Sequence, residues 1–322
     1  MEVTAVAHPN IALVKYWGKA DVALNLPAVG SISVTLDTLS TTTRVRTDAD
    51  RDADSLILDG EPASPDRTAR VGRCLEHIRK ARPELPTVVV ESENSFPTAA
   101  GLASSASGFA ALVTAVNGML ERPFDGGYLA LIARRCSGSA PRSLLGGFVE
   151  LAVDGDRTAV SSILGRREWP LEVVVAVTSK AAKTVGSTEG MERTRTSSDF
   201  YREWVASSFG DLAAARSAIL ASDFGALATV AEASCLKMHA VAMAARPGLV
   251  YWNGTTVECL HRVRELRKDG VPVFFTIDAG PQLKAVCEPG YSDRVAACLG
   301  EVPGVIDMLR CGLGDGARVV EA

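Results

Sequence analysis

The chain has 322 residues, a formal net charge of −4 at pH 7, 47% hydrophobic residues and 22% charged residues, a composition typical of globular rather than disordered or fibrous proteins. This charge balance gives no electrostatic footprint for nucleic acid, no apolar run reaches the roughly 18 residues that span a bilayer, and the N-terminus does not resemble a secretory signal. We therefore expect a cytoplasmic protein without membrane or nucleic-acid partners, built as two lobes that share a cleft.

Short β-branched or aromatic runs alternate with helical patterns along the chain, which predicts an α+β fold. In chain order, we predict strands at 41–47, 87–91, 171–178 and 273–277, and helices at 70–80, 101–120, 128–135 and 210–238. A Gly/Pro break at 165–170 predicts a boundary between an N-terminal lobe, 1–167, and a C-terminal lobe, 168–322. The seven cysteines include no CxxC pair, so neither a disulfide framework nor a zinc site is expected.

Polar groups lie unusually close together in the segment 8–19. Lys19 can hold a phosphate as a point charge, Tyr16 can donate a hydroxyl hydrogen bond to it, and Gly18 lets the backbone turn between them. The alternative is the end of a strand that carries surface lysines and a core Trp17.

The segment 97–107 predicts a phosphate-binding loop that runs into a helix. Gly101 allows close backbone approach to a ligand, Ser104 and Ser105 are natural cap residues, and the first N–H groups of a helix attract anions. The apolar face of that helix is predicted to consist of Leu102, Ala106, Phe109, Val113, Val116 and Leu120. An ordinary capped helix is the alternative, and the segment is not a Walker loop.

Arg142 lies in a second turn of small residues, 136–147. Its planar guanidinium matches a carboxylate or phosphate with two parallel hydrogen bonds, which makes it a candidate anion clamp. The alternative is a glycine–serine loop with a solvated arginine.

Two further clusters follow predicted strands. Ser187 and Thr188, in the segment 180–191, can contact phosphate oxygens, although capping of the next helix is the favoured local role. Asp278 ends the apolar strand 273–277, where a carboxylate can orient or deprotonate a hydroxyl group. A side chain that binds its own turn is the alternative for Asp278.

Taken in order, these five motifs resemble the mevalonate diphosphate decarboxylases, a branch of the galactose, homoserine, mevalonate and phosphomevalonate (GHMP) kinase superfamily, over nearly the whole chain. The segment 97–106 resembles the superfamily's ATP loop, and the segments 10–19 and 137–143 resemble the decarboxylase branch specifically. The segment 186–191 resembles the substrate loop of the second lobe, and 278–281 resembles the catalytic aspartate motif.

The resemblance implies the two-lobed GHMP-kinase fold, with an N-terminal lobe like ribosomal protein S5 domain 2, a ferredoxin-like C-terminal lobe and an active site between them. It also implies the ATP-dependent decarboxylation of (R)-mevalonate 5-diphosphate to isopentenyl diphosphate, by phosphorylation of the 3-hydroxyl, loss of phosphate and release of CO2. This reaction serves isoprenoid synthesis through the mevalonate pathway.

By the same resemblance, Asp278, Arg142 and Lys19 are expected to be catalytic, with Asp278 as a base or an orienting group. Arg142 is also expected to help keep Asp278 ionised. Substrate binding is assigned to Asn10, Tyr16, Trp17, Gly18, Lys19, Arg70, Ser137, Gly138, Ser139, Ala140, Pro141, Arg142, Ser187 and Thr188. ATP binding is assigned to Asn94, Pro97, Ala100, Gly101, Leu102, Ala103, Ser104 and Ser105. Mg2+ is expected to be carried by phosphates and water rather than by a dedicated protein site.

The chain departs from the family pattern at Pro141, Leu145 and Ser107, which affects packing more than chemistry. The C-terminal region is short beside eukaryotic members, which suggests a bacterial version, and the family suggests a homodimer. Three other functions stay open at this point: a GHMP kinase without decarboxylation, a mevalonate 5-phosphate decarboxylase, and a nucleotide-binding protein without turnover.

Overall fold

The computed structural model describes residues 1–48, 50–96, 104–181 and 183–321, and its elements are labelled in chain order. The strands are β1 Glu2–Ala7, β2 Asn10–Val14, β3 Lys19–Asp21, β4 Leu26–Pro27, β5 Ser31–Thr35, β6 Thr41–Thr47, β7 Ser55–Leu58, β8 Glu61–Pro62, β9 Val88–Asn94, β10 Phe148–Asp154, β11 Arg157–Leu164, β12 Glu172–Val177, β13 Val273–Ile277, β14 Leu283–Cys287, β15 Asp307–Cys311 and β16 Arg318–Glu321. The helices are α1 Pro65–Ala81, α2 Ser104–Met119, α3 Gly126–Cys136, α4 Ala140–Ser143, α5 Ser187–Ser197, α6 Tyr201–Leu220, α7 Phe224–Met243, α8 Gly254–Lys268 and α9 Ser292–Gly300. The predicted α+β class is confirmed.

The described part of the first half of the chain forms three sheets, of which the smallest is the two-stranded pair β3-β4. One has six strands in the order β16-β1-β6-β9-β7-β8, and α2 packs on its β1 and β6 strands. Another has four strands in the order β11-β10-β5-β2. The edge strand β16 comes from the last residues described and pairs antiparallel with β1. Part of the range predicted for the second lobe therefore completes a sheet of the first.

The second half is built on an antiparallel sheet with the strand order β13-β14-β12-β15. Helices α7 and α8 pack against β13, and α9 packs against β12. One apolar cluster contains residues of both halves, including Leu13, Phe148, Val175 and Phe274. The two halves consequently share a continuous core instead of meeting at a polar interface.

The ends of β2 and β13 are held side by side, and this contact positions the site. The Thr276 hydroxyl donates to the Ala12 carbonyl at 3.0 Å. From the neighbouring helix α7, Ser234 accepts a hydrogen bond from the Lys15 backbone N–H at 3.0 Å, and the Cys235 thiol accepts one from the Ile277 N–H at 3.2 Å. The residues that follow each strand, Lys15 and Asp278, therefore emerge together.

The predicted strands are confirmed, with small shifts at their ends. Helix α1 begins earlier than predicted because Pro65 suits its first turn, and it buries Val71, Cys74, Leu75 and Ile78 at helical spacing. On α2, the predicted face is buried at Ala106, Phe109, Val113 and Val116, while Leu102 lies outside the described residues. No described helix is long and apolar enough to cross a membrane.

The single helix predicted at 210–238 is wrong, because the structure has two helices, α6 and α7, with a break at 221–223. Ser222 adopts a φ of 50°, which ends α6, and the Asp223 carboxylate accepts a hydrogen bond from the Ala226 N–H at 2.9 Å to start α7. The alanine-rich sequence hides this break, since alanine favours helix on both sides of it.

Replacing Asp223 with Ala removes the cap of α7 and is expected to lower the free energy of unfolding by about 1 kcal/mol. Urea denaturation followed by circular dichroism measures the change. The matched control is Asp156→Ala, which removes an exposed carboxylate in the β10–β11 turn and is expected to change stability by less than about 0.5 kcal/mol. Equal effects of the two substitutions would contradict the capping role.

Candidate active site

A cleft of about 920 Å³ opens beside the ends of β2 and β13 and extends between α1, α2 and α3. It brings together most of the predicted site residues, namely Asn10, Tyr16, Trp17, Lys19, Arg70, Asn94, Ser104, Ser105, Ser137, Gly138, Ser139, Arg142, Ser187, Thr188 and Asp278. Gly18, Ala140 and Pro141 are buried but are not among the described residues that line it. The predicted ATP-loop residues Pro97, Ala100, Gly101, Leu102 and Ala103 lie outside the described residues.

Asp278 lies between two buried ammonium groups at one end of the cleft. Lys15 Nζ is 2.6 Å from Asp278 Oδ1, and Lys284 Nζ is 3.2 Å from Oδ2. Both lysine side chains are 1% exposed, whereas the aspartate side chain is 26% exposed and faces the cleft. Each lysine thus contacts a different oxygen of the carboxylate, and the exposed part of the aspartate side chain faces the cavity.

These contacts set the charge of the carboxylate. Burial by itself raises the pKa of Asp278, but the charges and hydrogen bonds of Lys15 and Lys284 outweigh burial and hold that pKa well below its usual range. Asp278 is therefore ionised at neutral pH. Lys15 and Lys284 are its direct partners, whereas Arg142, which was expected to help keep Asp278 ionised, interacts with it only through the Coulombic attraction of the two charges.

Arg142 is buried on the short helix α4, and serines of β5 hold its guanidinium. Its Nη1 donates to Ser31 Oγ at 2.5 Å and its Nε donates to Ser33 Oγ at 3.2 Å. Burial lowers its pKa to about 10, opposed by Tyr16 and Asp278, so it stays protonated at neutral pH. Within the described part of the chain, no carboxylate forms a salt bridge with it, so the guanidinium is free to bind an anion.

The Tyr16 ring packs against the backbone of Gly138. A Cβ atom at position 138 would lie 2.4 Å from the Tyr16 hydroxyl oxygen, so only glycine fits there. Burial raises the pKa of Tyr16 to about 12, which keeps the hydroxyl protonated and able to donate to an anion. The small-residue turn at 137–139 is thus shaped around this tyrosine.

Gly18 is required on the opposite side of the same segment. Its φ is +97°, and a Cβ atom there would lie 2.1 Å from the Tyr201 hydroxyl oxygen. The preceding Trp17 is 1% exposed and donates from Nε1 to Thr194 at 3.1 Å. Trp17 is therefore a core residue, as the alternative interpretation held, that also contributes one edge to the cleft wall.

Lys19 and Arg70 supply two more cations to the cleft. Burial lowers the pKa of Lys19. The charge of Glu192 raises this pKa, and the charge of Arg70 lowers it further. Arg70 Nη2 is 3.4 Å from Ser105 Oγ, and that hydroxyl donates to Ser137 Oγ at 3.1 Å. A path of hydroxyl groups thus connects the start of α2 with the turn that precedes α4.

Asn10 fixes this turn from β2. Its amide donates to the Ser139 carbonyl at 3.2 Å and to Ser143 Oγ at 2.8 Å. Ala140 and Pro141 form the first turn of α4, where proline is well tolerated. Pro141 is therefore accommodated without loss of the helix that carries Arg142.

The far end of the cleft is lined by β9, α1 and α2. Thr41 donates to Asn94 Oδ1 at 2.7 Å and shares a 2.7 Å hydrogen bond with Ser107. Ser107 is fully buried, so this contact satisfies the hydroxyl that departs from the family pattern. Ser104 and Ser105 are the first described residues of α2 and line the cleft wall.

Ser187 does not cap α5, contrary to the favoured local role. Gly186 occupies the cap position without a side-chain hydrogen bond, and Ser187 Oγ instead accepts one from Lys183 Nζ at 3.1 Å. Burial, and then the charge of Lys284, lower the pKa of Lys183, while Asp278 opposes them. Lys183 lines the cleft and belongs to its cationic end.

The sequence analysis thus assigned no individual role in the site to Lys15, Lys183 or Lys284. Lys15 lies in the segment 8–19 and Lys183 in the segment 180–191, both of which were selected as candidate binding segments. Their position next to motif residues was the signal that could have identified them. Lys284 is the second residue of the buried strand β14, where the sequence pattern gives no indication that its partner is Asp278, six positions earlier in the chain.

Both halves of the chain match the models of known protein domains. Residues 7–163 match the model of the diphosphomevalonate decarboxylase-like N-terminal domain, and residues 173–302 match that of the mevalonate 5-diphosphate decarboxylase C-terminal domain. The diphosphomevalonate decarboxylase of Candida albicans is 38% identical over 94% of this chain and 89% of its own length. The chain belongs to the diphosphomevalonate decarboxylase family.

Solved structures of this family confirm the predicted two-lobed GHMP-kinase architecture. The mevalonate diphosphate decarboxylase of Staphylococcus aureus superposes with a TM-score of 0.93 at 34% identity, over 99% of this chain and 98% of that one. MDDEF in complex with MVAPP, AMPPCP and magnesium superposes with a TM-score of 0.91 at 35% identity, over 100% of this chain and 99% of that one.

Asp278→Asn is expected to destabilise the fold, because it leaves Lys15 and Lys284 buried without their counter-charge. We expect a loss of about 2–3 kcal/mol at pH 7, below the 3–5 typical of a fully buried pair since the carboxylate is partly exposed. Urea denaturation between pH 8 and pH 3 measures the difference between variant and wild type.

The pH dependence follows from the lowered pKa of Asp278. The wild-type advantage is fully present above the unfolded-state pKa of about 3.9 and declines as the pH falls below that value toward the folded-state pKa. The matched control, Asp293→Asn, changes an 87% exposed carboxylate and is expected to show no comparable loss. A difference that already shrinks between pH 8 and pH 5 would contradict the assignment.

Proposed function

We propose that this protein catalyses the ATP-dependent decarboxylation of (R)-mevalonate 5-diphosphate to isopentenyl diphosphate, a step of isoprenoid synthesis by the mevalonate pathway. The observation that carries the proposal is the pairing of an ionised Asp278, held by Lys15 and Lys284, with a buried Arg142 that has no carboxylate partner among the described residues, both lining one cleft. A hydroxyl-bearing carboxylate substrate matches these two groups, because the aspartate accepts from a hydroxyl and the arginine binds a carboxylate.

The charge of the cleft supports an anionic substrate. Lys15, Lys19, Arg70, Arg142 and Lys183 supply cations, whereas Asp278 is the acidic group that faces them from the described cleft wall. Within a low-dielectric cleft, such an excess of positive charge attracts ligands that carry several negative charges. Mevalonate 5-diphosphate, with a carboxylate at one end and a diphosphate at the other, and ATP both have this character.

The substrate is held at both of its ends. Arg142 binds the C1 carboxylate, with its guanidinium kept in place by Ser31 and Ser33. Tyr16, Lys19 and Arg70 bind the 5-diphosphate by one hydroxyl donor and two cations. Neutral hydrogen bonds come from Ser137, Ser139, Ser187 and Thr188, while Asn10, Trp17, Gly18, Gly138, Ala140 and Pro141 maintain the shape of the wall.

Asp278 orients the 3-hydroxyl rather than serving as a strong base. Its lowered pKa makes the carboxylate a weak proton acceptor. A loose phosphoryl-transfer transition state needs little early proton removal, so a well-placed hydrogen-bond acceptor is sufficient. The contribution of Asp278 is therefore to align the attacking oxygen. Such positioning alone can raise the reaction rate by several orders of magnitude.

ATP occupies the end of the cleft near α2. Ser104 and Ser105 at the start of the helix, with Asn94 on β9, line that end. By resemblance, Pro97, Ala100, Gly101, Leu102 and Ala103, which precede the helix in the sequence, are assigned to binding of the ATP phosphates. The hydroxyl groups of Ser104 and Ser105 fit the oxygen ligands that Mg2+ prefers. With ATP bound, these hydroxyls would help hold Mg2+, which would offset negative charge during phosphoryl transfer.

The reaction then proceeds in two balanced stages. The γ-phosphoryl group moves from ATP to the 3-oxygen of the substrate, and late in this transfer the hydroxyl proton passes to the hydrogen-bonded carboxylate of Asp278 and on to solvent. ADP is released, and a poor leaving group becomes a good one. The C3–O bond breaks and phosphate departs, after which the C1–C2 bond electrons form the new double bond and C1 leaves as CO2. Arg142 lies where it can hold the carboxylate until that bond breaks.

We further propose a boundary between two lobes near residues 167 and 168, with the catalytic cleft between them, a homodimer as the assembly and the cytoplasm as the location. The assembly is checked by sedimentation equilibrium at micromolar concentration, where a single species of the monomer mass would contradict a homodimer.

The activity is tested with ATP, Mg2+ and C1-labelled mevalonate 5-diphosphate, by following labelled CO2 and ADP together. We expect the two products in equal amounts. ADP without CO2 would indicate a kinase without decarboxylation, and neither product would indicate a binding protein without turnover. Mevalonate 5-phosphate serves as the matched control substrate, and faster turnover of the monophosphate would assign the enzyme to that substrate.

Asp278→Asn is expected to abolish turnover while ATP binding is retained, because the amide neither carries the charge held by the lysines nor accepts equally well from the hydroxyl. Release of labelled CO2 and ADP measures turnover, and calorimetry on the same preparation measures ATP affinity. Lost turnover with retained ATP affinity indicates a loss of catalysis rather than a loss of the fold. Turnover near the wild-type rate would remove Asp278 from the mechanism.

Arg142→Lys is expected to lower kcat/KM about 100-fold, because one ammonium group cannot reproduce the planar fork that binds a carboxylate. Steady-state rates against mevalonate 5-diphosphate give this value. Arg166→Lys is the control, since Arg166 pairs with Asp315 on the surface outside the cleft. Similar rates for the Arg142 variant and the control would overturn the carboxylate clamp.

A further inference from the structure

Lys284 occupies an unusual place for a charged residue. It is the second residue of β14, an interior strand of the sheet β13-β14-β12-β15. It lies opposite Thr276 on β13 and Val175 on β12. Alternation along the strand puts it on the same face as Val286, a member of the apolar cluster shared by both halves. Its side chain is 1% exposed, and Asp278 is its carboxylate partner at 3.2 Å.

Charge balance of Asp278 does not require this lysine. Asp278 already has a closer partner in Lys15, at 2.6 Å, so the second ammonium leaves the three groups with one excess positive charge. Removing an ammonium group from water costs several kcal/mol, and replacing buried charges by apolar groups of similar volume is often neutral or stabilising. Folding alone would favour an apolar residue on this strand.

The geometry around the carboxylate gives the lysine a purpose. Lys15 contacts Oδ1 and Lys284 contacts Oδ2, so the plane of the carboxylate is fixed by two contacts where one would permit rotation about the Cβ–Cγ bond. The two lysines come from separate halves of the chain. Lys15 follows β2 and also donates to the Ala12 carbonyl at 2.9 Å, while Lys284 is anchored in the β13–β14 pair.

We propose that Lys284 is a positioning residue for phosphoryl transfer, which holds Asp278 in the single orientation that accepts the hydrogen bond of the substrate hydroxyl. This inference rests on the proposed function. Lys284 acts through Asp278, and its removal reduces the fraction of substrate complexes in which the hydroxyl is aligned. Binding of either substrate does not depend on it.

The test is Lys284→Met, which keeps the length and volume of the side chain and removes its charge. We expect kcat to fall about 10- to 100-fold, as for a misplaced catalytic group, with KM for both substrates within about twofold of wild type. We also expect unfolding in urea at or above the wild-type midpoint, because Lys15 still balances Asp278. Lys284→Arg restores the charge and is expected to recover part of kcat.

The matched control is Lys268→Met, at an exposed position near the end of α8, which is expected to keep wild-type rates. Unchanged kcat in Lys284→Met would overturn the proposal, as would a joint loss of stability and activity that Arg does not repair. If Lys284→Met does not fold, kcat is compared between Lys284→Arg, which keeps the charge, and Lys284→Gln, which removes it. A lower kcat for Lys284→Gln supports the proposal, and equal kcat values overturn it. Wild-type enzyme that releases no labelled CO2 would instead refute the proposed function, independently of Lys284.

Discussion

The structure depends on a single ion cluster, in which one carboxylate from β13 is held by ammonium groups from two different parts of the chain. Lys284 belongs to the same sheet as the strand that precedes Asp278, whereas Lys15 follows β2 and reaches the carboxylate from the other half of the chain. Lys15 is 1% exposed, and without Asp278 its buried charge would have no carboxylate partner among the described residues. The cluster therefore joins the two halves and fixes the charge of the carboxylate.

Much of the fold could be predicted from local pattern, because the strands at 41–47 and 273–277 carry a β-branched or aromatic signal strong enough to locate them. The break between α6 and α7 could not, since it depends on the backbone of Ser222 and the cap of Asp223 within a sequence that favours helix throughout. Local propensity determines the type of an element more reliably than its ends.

The candidate site shows the same limit. Arg142, Tyr16 and Asp278 lie in motifs whose residue types announce their chemistry, so resemblance was enough to select them. Lys284 lies in a buried strand and meets Asp278 only through sheet pairing, which no spacing along the chain reveals. Gly18 and Gly138, which resemblance also selected, accommodate the Tyr201 and Tyr16 side chains respectively, and these contacts between distant residues are likewise hidden from the sequence.

The pairing of β16 with β1 has a consequence for synthesis of the protein. The outer edge of β1 exposes unpaired backbone groups until residues 318–321 have left the ribosome, and such an edge can pair with another chain. The lobe translated first is thus the lobe completed last. A nascent or truncated chain would carry an open sheet edge, so the final strand protects the newly made enzyme from aggregation as well as finishing its sheet.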